Sequence, residues 1–220
     1  MTTSSSTCLT QPQPRPGLSR LSEVVLNNEF RKRWELETQF CLGSKPFRSR
    51  KRVEFHEFLA LAQLSHRIEP VAANLEDTLQ LLFVLRCPVP VMGSDKTLHV
   101  LEEAQLHLRY REEAIRTPQP GYSFIEIVQP QGVWLPNAFS PSEAAGRGSP
   151  GQVLCLGTSL PPGIRVRELI LMAYGALTLQ AVQMDALDPA GIMNREAAEW
   201  WQRNLSKIPL STQPFLNSQG

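Results

Sequence analysis

The sequence lacks an excess of charge of either sign, a long apolar run and a cluster of metal ligands. Its 22 basic and 21 acidic residues give a net charge of +1, so no overall electrostatic field would attract nucleic acid or an anionic membrane. The longest apolar-leaning stretch, residues 169–182, is interrupted by polar residues and is too short to span a bilayer. We therefore predict that neither nucleic acid nor a membrane is a partner.

Cysteine is scarce, and its four copies are far apart in the sequence. Cys8, Cys41, Cys87 and Cys155 form no Cys-x-x-Cys motif and pair with none of the four histidines, so their spacing predicts neither a metal site nor a cofactor. The Ser/Thr/Gln/Pro-rich start of the chain has no apolar core and does not read as a secretory signal. These features favour a reducing, cytoplasmic compartment.

An apolar fraction of 42% over 220 residues can fill one ordinary core. Residues 1–19 are polar and rich in proline, and we expect a disordered leader there. Residues 20–205 are expected to form a single domain that begins with a helical extension. Residues 206–220, which contain two more prolines, are expected to be a loose C-terminal tail.

Apolar spacing predicts an α+β fold with a four-stranded antiparallel meander flanked by helices. An amphipathic helix is expected from Leu21 to Leu42, ended by Gly43 and Pro46, and a second helix close to residues 53–64. Short turn-forming links then favour antiparallel neighbours. The four strand candidates are His66 to Ala73, Leu79 to Cys87, Gln105 to Arg111, and Tyr122 to Gln129.

Two later segments have helical patterns. An apolar stripe from Val166 to Ala181 predicts a helix that packs on the sheet. Asn194 is a candidate N-cap for a helix from Arg195 to Arg203.

One stretch has the pattern of a chemical site. Trp134-Leu135-Pro136-Asn137, a Gly/Pro-containing loop and Gly151 to Leu156 place the amide of Asn137 and the thiol of Cys155 at the two ends of a loop. A thiolate is a good nucleophile and a good leaving group, which suits thioester exchange, and an amide N–H can stabilise an oxyanion. The structural alternative is that Cys155 is a small buried apolar residue and Asn137 a turn residue.

The order of these motifs resembles the catalytic half of ubiquitin-conjugating enzymes, over about residues 50–204. The resemblance rests on Pro136-Asn137, Gly151-x-x-x-Cys155-Leu156, Pro161-Pro162, a long apolar helix, and Asp188-Pro189 leading to Asn194-Arg195-Glu196-Ala197-Ala198. It is nearest to the divergent prokaryotic members, which are often encoded beside an activating enzyme, a ubiquitin-like protein and a deconjugating protease. Either N-terminal helix could correspond to the first helix of that family.

The resemblance implies an enzyme that works without a cofactor. Cys155 would accept a ubiquitin-like modifier from an activating enzyme as a thioester and pass it to an amine, with or without a ligase or target protein. Asn137 would stabilise the oxyanion, and Asp188 would orient the incoming amine, with Asp185 as its competitor for that role. The absence of a neighbouring histidine argues against a papain-like hydrolase.

The chain also departs from the family pattern. Leu135 stands where the family usually has histidine, Gly157 replaces the Asp or Asn that often follows Cys-Leu, and the loop from Ala138 to Pro150 is longer than usual. These departures keep open a catalytically inactive member of the fold that binds a ubiquitin-like protein. An unrelated α+β interaction protein with an inert thiol is the third possibility.

Three further segments have two interpretations each. The basic run from Arg48 to Arg52 is either a solvated face or helix start, or a docking patch for an acidic surface on a partner protein. Pro88-Val89-Pro90 and Pro161-Pro162 are either ligase contacts or rigid turns. The loop Ser140 to Gly151 lacks a phosphate-binding motif and is expected to be a mobile flap.

Overall fold

A computed structural model describes residues 42–146, 151–181 and 192–216 of the chain, which form an α+β structure. In chain order its elements are α1 (Lys45–Leu64), β1 (Ile68–Asn74), β2 (Leu79–Met92), β3 (Leu98–Tyr110), β4 (Ile125–Gln129), α2 (Pro141–Gly146), β5 (Gln152–Leu154), α3 (Val166–Leu177) and α4 (Arg195–Gln202). Short 3-10 turns occupy Glu112–Ile115, Gly121–Ser123 and Leu205–Lys207. The expected leader and nearly all of the helix expected from Leu21 to Leu42 lie outside the described residues.

The sheet is an antiparallel meander in the order β1-β2-β3-β4-β5. The antiparallel order of the four expected strands is confirmed, but the sheet has five strands, so the predicted number was wrong. The extra strand, β5, contains only three residues and pairs Leu154 with Ile125 and Gln152 with Ile127. A segment this short has no measurable alternation of apolar residues, so only its pairing with β4 defines it as a strand.

The two central strands are longer than the apolar pattern predicted. β2 continues to Met92 through Pro88 and Pro90. Pairing with β1 stops at Leu85, and the β2–β3 register shifts beyond Arg86. The prolines therefore lie where β1 no longer needs their missing N–H groups, which is where a strand tolerates proline. The Pro88-Val89-Pro90 segment is part of this strand and not a turn.

Helix α1 begins earlier than expected because Ser44 caps it. The Ser44 side chain accepts a hydrogen bond from the Phe47 N–H at 3.4 Å, and Pro46 lies in the first turn, where a missing N–H costs little. Pro46 therefore starts this helix. Its Phe47, Phe55 and Phe58 side chains are buried in the core.

The core lies between one face of the sheet and the helices α1 and α3. Alternate residues of the central strands are completely buried, as a half-buried strand requires. Helix α3 adds Leu169, Ile170 and Ala173 to the same cluster. It ends at Leu177, four residues before the predicted end, and Leu179 then adopts a positive φ of 57°.

The chain end folds back onto the domain as far as residue 216. Leu210 N donates to Thr178 O at 2.9 Å, the Tyr174 hydroxyl donates to Gln213 O at 2.7 Å, and Phe215 is buried against the Tyr174 ring. A loose tail was expected from residue 206, but residues 206–216 are fixed by these contacts. The burial of Phe215 explains the difference, since one apolar anchor holds the proline-containing segment in place.

Candidate functional site

The flap, defined as residues 134–137, is held at both ends by one glutamine. Gln152 of β5 is completely buried. Its amide accepts from Val133 N at 2.7 Å and donates to Val133 O at 3.0 Å and to Phe139 O at 2.7 Å. The three hydrogen bonds close the flap into a loop between Val133 and Phe139, and the flap conformation therefore depends on this side chain.

The flap and the cysteine segment are paired through their main chains. Cys155 N donates to Asn137 O at 2.7 Å, and Phe139 N donates to Val153 O at 3.0 Å. An isolated bridge joins Ala138 to Leu154. Cys155 directly follows β5, so the sheet fixes its position relative to Asn137. The two residues predicted to form the site are thus adjacent.

The Asn137 side chain is bound to the backbone of the cysteine itself. Its Nδ2 donates to Cys155 O at 3.0 Å, and the residue is 7% exposed. Its Oδ1 is buried without a hydrogen-bond partner among the described residues. In this conformation the amide donor that was expected to serve an oxyanion is occupied by a main-chain carbonyl.

The Cys155 thiol faces the backbone that follows it. The residue is 3% exposed, and its Sγ donates to Gly157 O at 3.4 Å. Burial raises the pKa of the Cys155 thiol above its ordinary value, because removal from water disfavours the thiolate. The thiol is therefore protonated at neutral pH in this conformation.

Two glycines shape the backbone beside the thiol. Gly157 has φ +139°, a conformation that side chains rarely allow, which accounts for glycine at this position. Gly121 N donates to Gly157 O at 2.9 Å, and a Cβ on Gly121 would lie 2.3 Å from that oxygen. The segment after Cys155 therefore packs directly on the Gly121 backbone.

Leu135 anchors the flap in the core. It is completely buried and belongs to the main apolar cluster. Apolar packing at Leu135 thus holds the flap against the core.

Helix α4 and the two residues before it also hold the flap. Met193 N and Asn194 N both donate to Pro136 O, at 2.7 and 2.9 Å. The Trp201 indole N–H donates to Trp134 O at 2.8 Å. Asn194 caps the helix as predicted, with its Oδ1 accepting from Ala197 N at 3.0 Å.

The third predicted site residue, Asp188, lies outside the described residues, and so does Asp185. Their places relative to Cys155 stay predictions. The loop from Ser140 to Gly151, which was expected to be mobile, includes the short helix α2. There Ser140 and Glu143 bind each other's main-chain N–H groups. Residues 147–150 of that loop lie outside the described residues.

The basic run from Arg48 to Arg52 is divided between the interior and the surface. Lys51 is completely buried, and its ammonium donates to four carbonyl oxygens at 2.8 to 3.2 Å, those of Leu42, Leu75, Glu76 and Asp77. Arg50 pairs with buried Glu54 at 2.7 Å and also binds Gly163 O. These two cations hold α1 in place, and Arg48 and Arg52 remain exposed.

The Arg50–Glu54 pair connects α1 with the start of α3. Glu54 Oε2 accepts from Val166 N at 2.7 Å, and the Tyr110 hydroxyl donates to Ile164 O at 2.9 Å. The turn containing Pro161 and Pro162 is therefore fixed from within, although both prolines are exposed.

Sequence reasoning missed Gln152, Gly121 and the contact of Asn194 with the flap. A glutamine inside an otherwise apolar strand was the available signal for Gln152, since a buried amide needs partners. Gly121 follows a proline and resembles any turn glycine. The Asn194 contact depends on tertiary packing and has no signal in the sequence.

A surface groove of about 430 Å³ lies away from the cysteine, between α1 and α3, and is lined by Glu57, Leu61, Leu64, Arg165 and Leu171 among others.

Across the described ranges, no three His, Cys, Asp or Glu side chains are grouped to hold a metal ion. In the same ranges no helix has the length and apolar character needed to cross a membrane.

Comparison of the chain with models of protein families, with curated proteins and with solved structures found no match. The described residues thus define an α+β protein with a five-stranded antiparallel meander, in which a buried cysteine and a flap asparagine meet at the end of β5.

Proposed function

We propose that the chain is a ubiquitin-conjugating-enzyme-like protein that carries a ubiquitin-like modifier as a thioester on Cys155 and transfers it to an amine. The observation that supports this most directly is the pairing of Cys155 with Asn137 through two hydrogen bonds, at 2.7 and 3.0 Å. Asn137 of the flap is thus fixed beside Cys155. The helix–meander–flap–cysteine–helix order also agrees with the resemblance.

The proposed reaction has two acyl transfers. In the first, the Cys155 sulfur attacks the thioester carbonyl carbon on an activating enzyme; a new C–S bond forms, the old one breaks, and the released thiol takes the proton. In the second, an amine nitrogen attacks the same carbon and the C–S bond to Cys155 breaks. The proton lost by the amine returns to the Cys155 sulfur, and no cofactor takes part.

Acylation requires the thiol to become accessible. Cys155 is 3% exposed and donates to Gly157 O, so the proposal includes a displacement of the loop that begins at Leu156. Thr158 and Ser159 in this loop are exposed. Asp188 is proposed to orient the amine, since a carboxylate favours a nearby ammonium and accepts its proton.

The burial of Cys155 also favours a second candidate function, a binding module for a ubiquitin-like protein without catalysis. In that case the raised pKa of Cys155 and the occupied Asn137 amide are permanent features. The enzyme requires the loop after Cys155 to move and the thiol to react, whereas the module requires neither. The reactivity of the Cys155 thiol therefore decides between the two functions.

The test uses a variant in which Cys8 and Cys41 are replaced by serine, leaving Cys87 and Cys155. The protein is mixed with a fluorescent peptide α-thioester that has a 2-mercaptoethanesulfonate leaving group, and adducts are located by mass spectrometry. Cys87 is the internal control, because it is also 3% exposed but has no flap beside it; the acylation rate of each cysteine is divided by its iodoacetamide labelling rate, which removes the difference in thiol pKa. We expect Cys155 to be acylated preferentially, and the adduct to be sensitive to a thiol reductant. In the Cys155→Ser variant the adduct should be a reductant-resistant ester.

Acylation of Cys155 no faster than that of Cys87 would contradict the proposed enzyme. Binding of an intact ubiquitin-like protein without any adduct would favour the module. With an activating enzyme, ATP and its ubiquitin-like modifier, the same adduct should form on Cys155 of the unmodified sequence.

A further inference from the structure

Two buried amide atoms lack partners where the flap meets α4. Asn137 Oδ1 and Asn194 Nδ2 are both buried, and neither has a hydrogen-bond partner among the described residues. Asn137 is 7% exposed and Asn194 is 4% exposed. Buried polar atoms in folded proteins almost always have a partner, so a free acceptor and a free donor at one junction point to a missing ligand group.

The orientations of both amides are fixed by their other atoms. Asn137 Nδ2 donates to Cys155 O at 3.0 Å, and Asn194 Oδ1 accepts from Ala197 N at 3.0 Å. Rotating either amide by 180° would set like groups against each other and break these bonds. The unpaired atom of Asn137 is therefore an acceptor, and that of Asn194 is a donor.

The two side chains belong to one hydrogen-bonded unit with the cysteine. Asn194 N donates to Pro136 O at 2.9 Å, Asn137 follows Pro136 in the chain, and Cys155 N donates to Asn137 O at 2.7 Å. Both amides therefore lie in segments that are bound, directly or through Pro136, to the backbone of Cys155. The acyl oxygen of a thioester needs a donor, whereas an attacking amine presents N–H groups that need an acceptor.

We propose that Asn194 Nδ2 binds the acyl oxygen of the thioester on Cys155, while Asn137 Oδ1 accepts an N–H from the attacking amine. This inference rests on the proposed function and reassigns the oxyanion donor from Asn137 to Asn194. As the amine nitrogen bonds to the acyl carbon, negative charge collects on the acyl oxygen, where Asn194 donates. The C–S bond then breaks and the amine proton passes to the Cys155 sulfur. The Asn137 Nδ2 bond to Cys155 O stays intact throughout.

The test separates the helix-capping role of Asn194 from its donor role. Asn194→Asp keeps an oxygen for Ala197 N and loses the N–H donor, and aspartate is a favourable N-cap. Asn194→Gly, also tolerated at an N-cap, removes the side chain without adding charge. Arg195→Gln is the matched control, since it changes the net charge by the same amount at an exposed neighbour.

The peptide thioester is loaded on Cys155 in each variant, and the single-turnover rate of discharge to saturating hydroxylamine is measured. Loss of one oxyanion donor lowers the rate on the order of 100-fold, so both Asn194 variants should discharge about 100-fold more slowly. The Tm of Asn194→Gly should stay close to that of wild type, since glycine is tolerated at an N-cap, and Arg195→Gln should match the wild-type rate. Asn194 variants that load and discharge at the wild-type rate would overturn this assignment alone. Wild-type protein that never loads Cys155 would overturn the proposed function and this assignment together.

Discussion

Asn137 and Cys155 hold each other through two hydrogen bonds, one from the Cys155 N–H to the Asn137 carbonyl and one from the Asn137 side chain to the Cys155 carbonyl. The relationship fixes the backbone at the cysteine and not the sulfur. The thiol can therefore change its rotamer or its cover without loss of the pairing between flap and strand. The following predictions test how this arrangement controls the thiol.

Reactivity of Cys155 in the folded protein should depend steeply on pH. Burial raises the pKa of the Cys155 thiol above its ordinary value of about 9, so the rate of iodoacetamide labelling should rise about tenfold per pH unit and continue to rise above pH 9. Labelling in urea, where burial is lost, should level off near pH 9. A plateau below pH 8 in the folded protein would contradict the burial of this thiol.

Cys87 gives the matching comparison inside the same protein. Burial raises its pKa to about 12, so its labelling should lag behind that of Cys155 at every pH. Between pH 9 and about 12 the unfolded chain releases the Cys87 proton before the folded chain does, and stability should fall as pH rises through this range. Chemical denaturation of wild type and Cys87→Ala at several pH values gives the free energy of unfolding as a function of pH. This free energy should fall more steeply with pH in wild type than in Cys87→Ala.

Replacing Gln152 by leucine should release the flap. The change leaves Val133 N, Val133 O and Phe139 O without their side-chain partner, and unpaired buried groups of this kind together cost about 2–4 kcal/mol. Labelling of Cys155 should also become faster. Gln131→Leu is the control, because Gln131 is exposed and donates to one carbonyl only; equal effects of the two variants on Tm would contradict the role of Gln152.

Replacing Gly121 by alanine should disturb the segment after Cys155. The added Cβ would lie 2.3 Å from Gly157 O and 2.5 Å from Gly157 N, distances that only a backbone shift can relieve. We expect a loss of roughly 1–3 kcal/mol in stability and faster labelling of Cys155. Gly146→Ala meets no atom within 4 Å and should leave both measurements unchanged.

Replacing Lys51 by methionine should destabilise the fold more than any other change in the basic run. Four buried or partly buried carbonyl oxygens lose a charged donor, and hydrogen bonds to charged groups contribute about 1.5–3 kcal/mol. Arg52→Met changes the charge equally at an exposed neighbour and should stay within about 0.5 kcal/mol of wild type. Urea denaturation compares the two, and similar midpoints would contradict the contribution of Lys51.

Much of the fold was readable from the sequence because its long elements carry strong periodicity. The alternation in β3 and the apolar stripe of α3 predicted both elements, and Asn194 was identified correctly as a cap. The predictions that were wrong concern elements that are short or whose ends are decided by tertiary contacts. The three residues of β5 have no pattern, the prolines of β2 looked like an end of the strand, and Pro46 looked like the end of a preceding helix.

The site was only partly predictable for a related reason. The motif brought Asn137 and Cys155 together correctly, since their order along the chain determines which segments pair. The motif carries no information on which amide atom is occupied, and here the donor of Asn137 is bound to a carbonyl. Lys51 and Arg50 were likewise counted as surface charges, because a sequence does not show carbonyl oxygens gathered from distant segments.

The enclosure of Lys51 has a consequence for a protein that would transfer acyl groups to amines. Such a protein exposes its own lysines to self-acylation, but an ammonium bound by four carbonyls cannot act as a nucleophile. Self-modification should therefore fall on the exposed lysines of the described structure, Lys45, Lys96 and Lys207. Acylation of Lys51 would break the contacts between α1 and the β1–β2 turn, and burial protects this lysine from acylation.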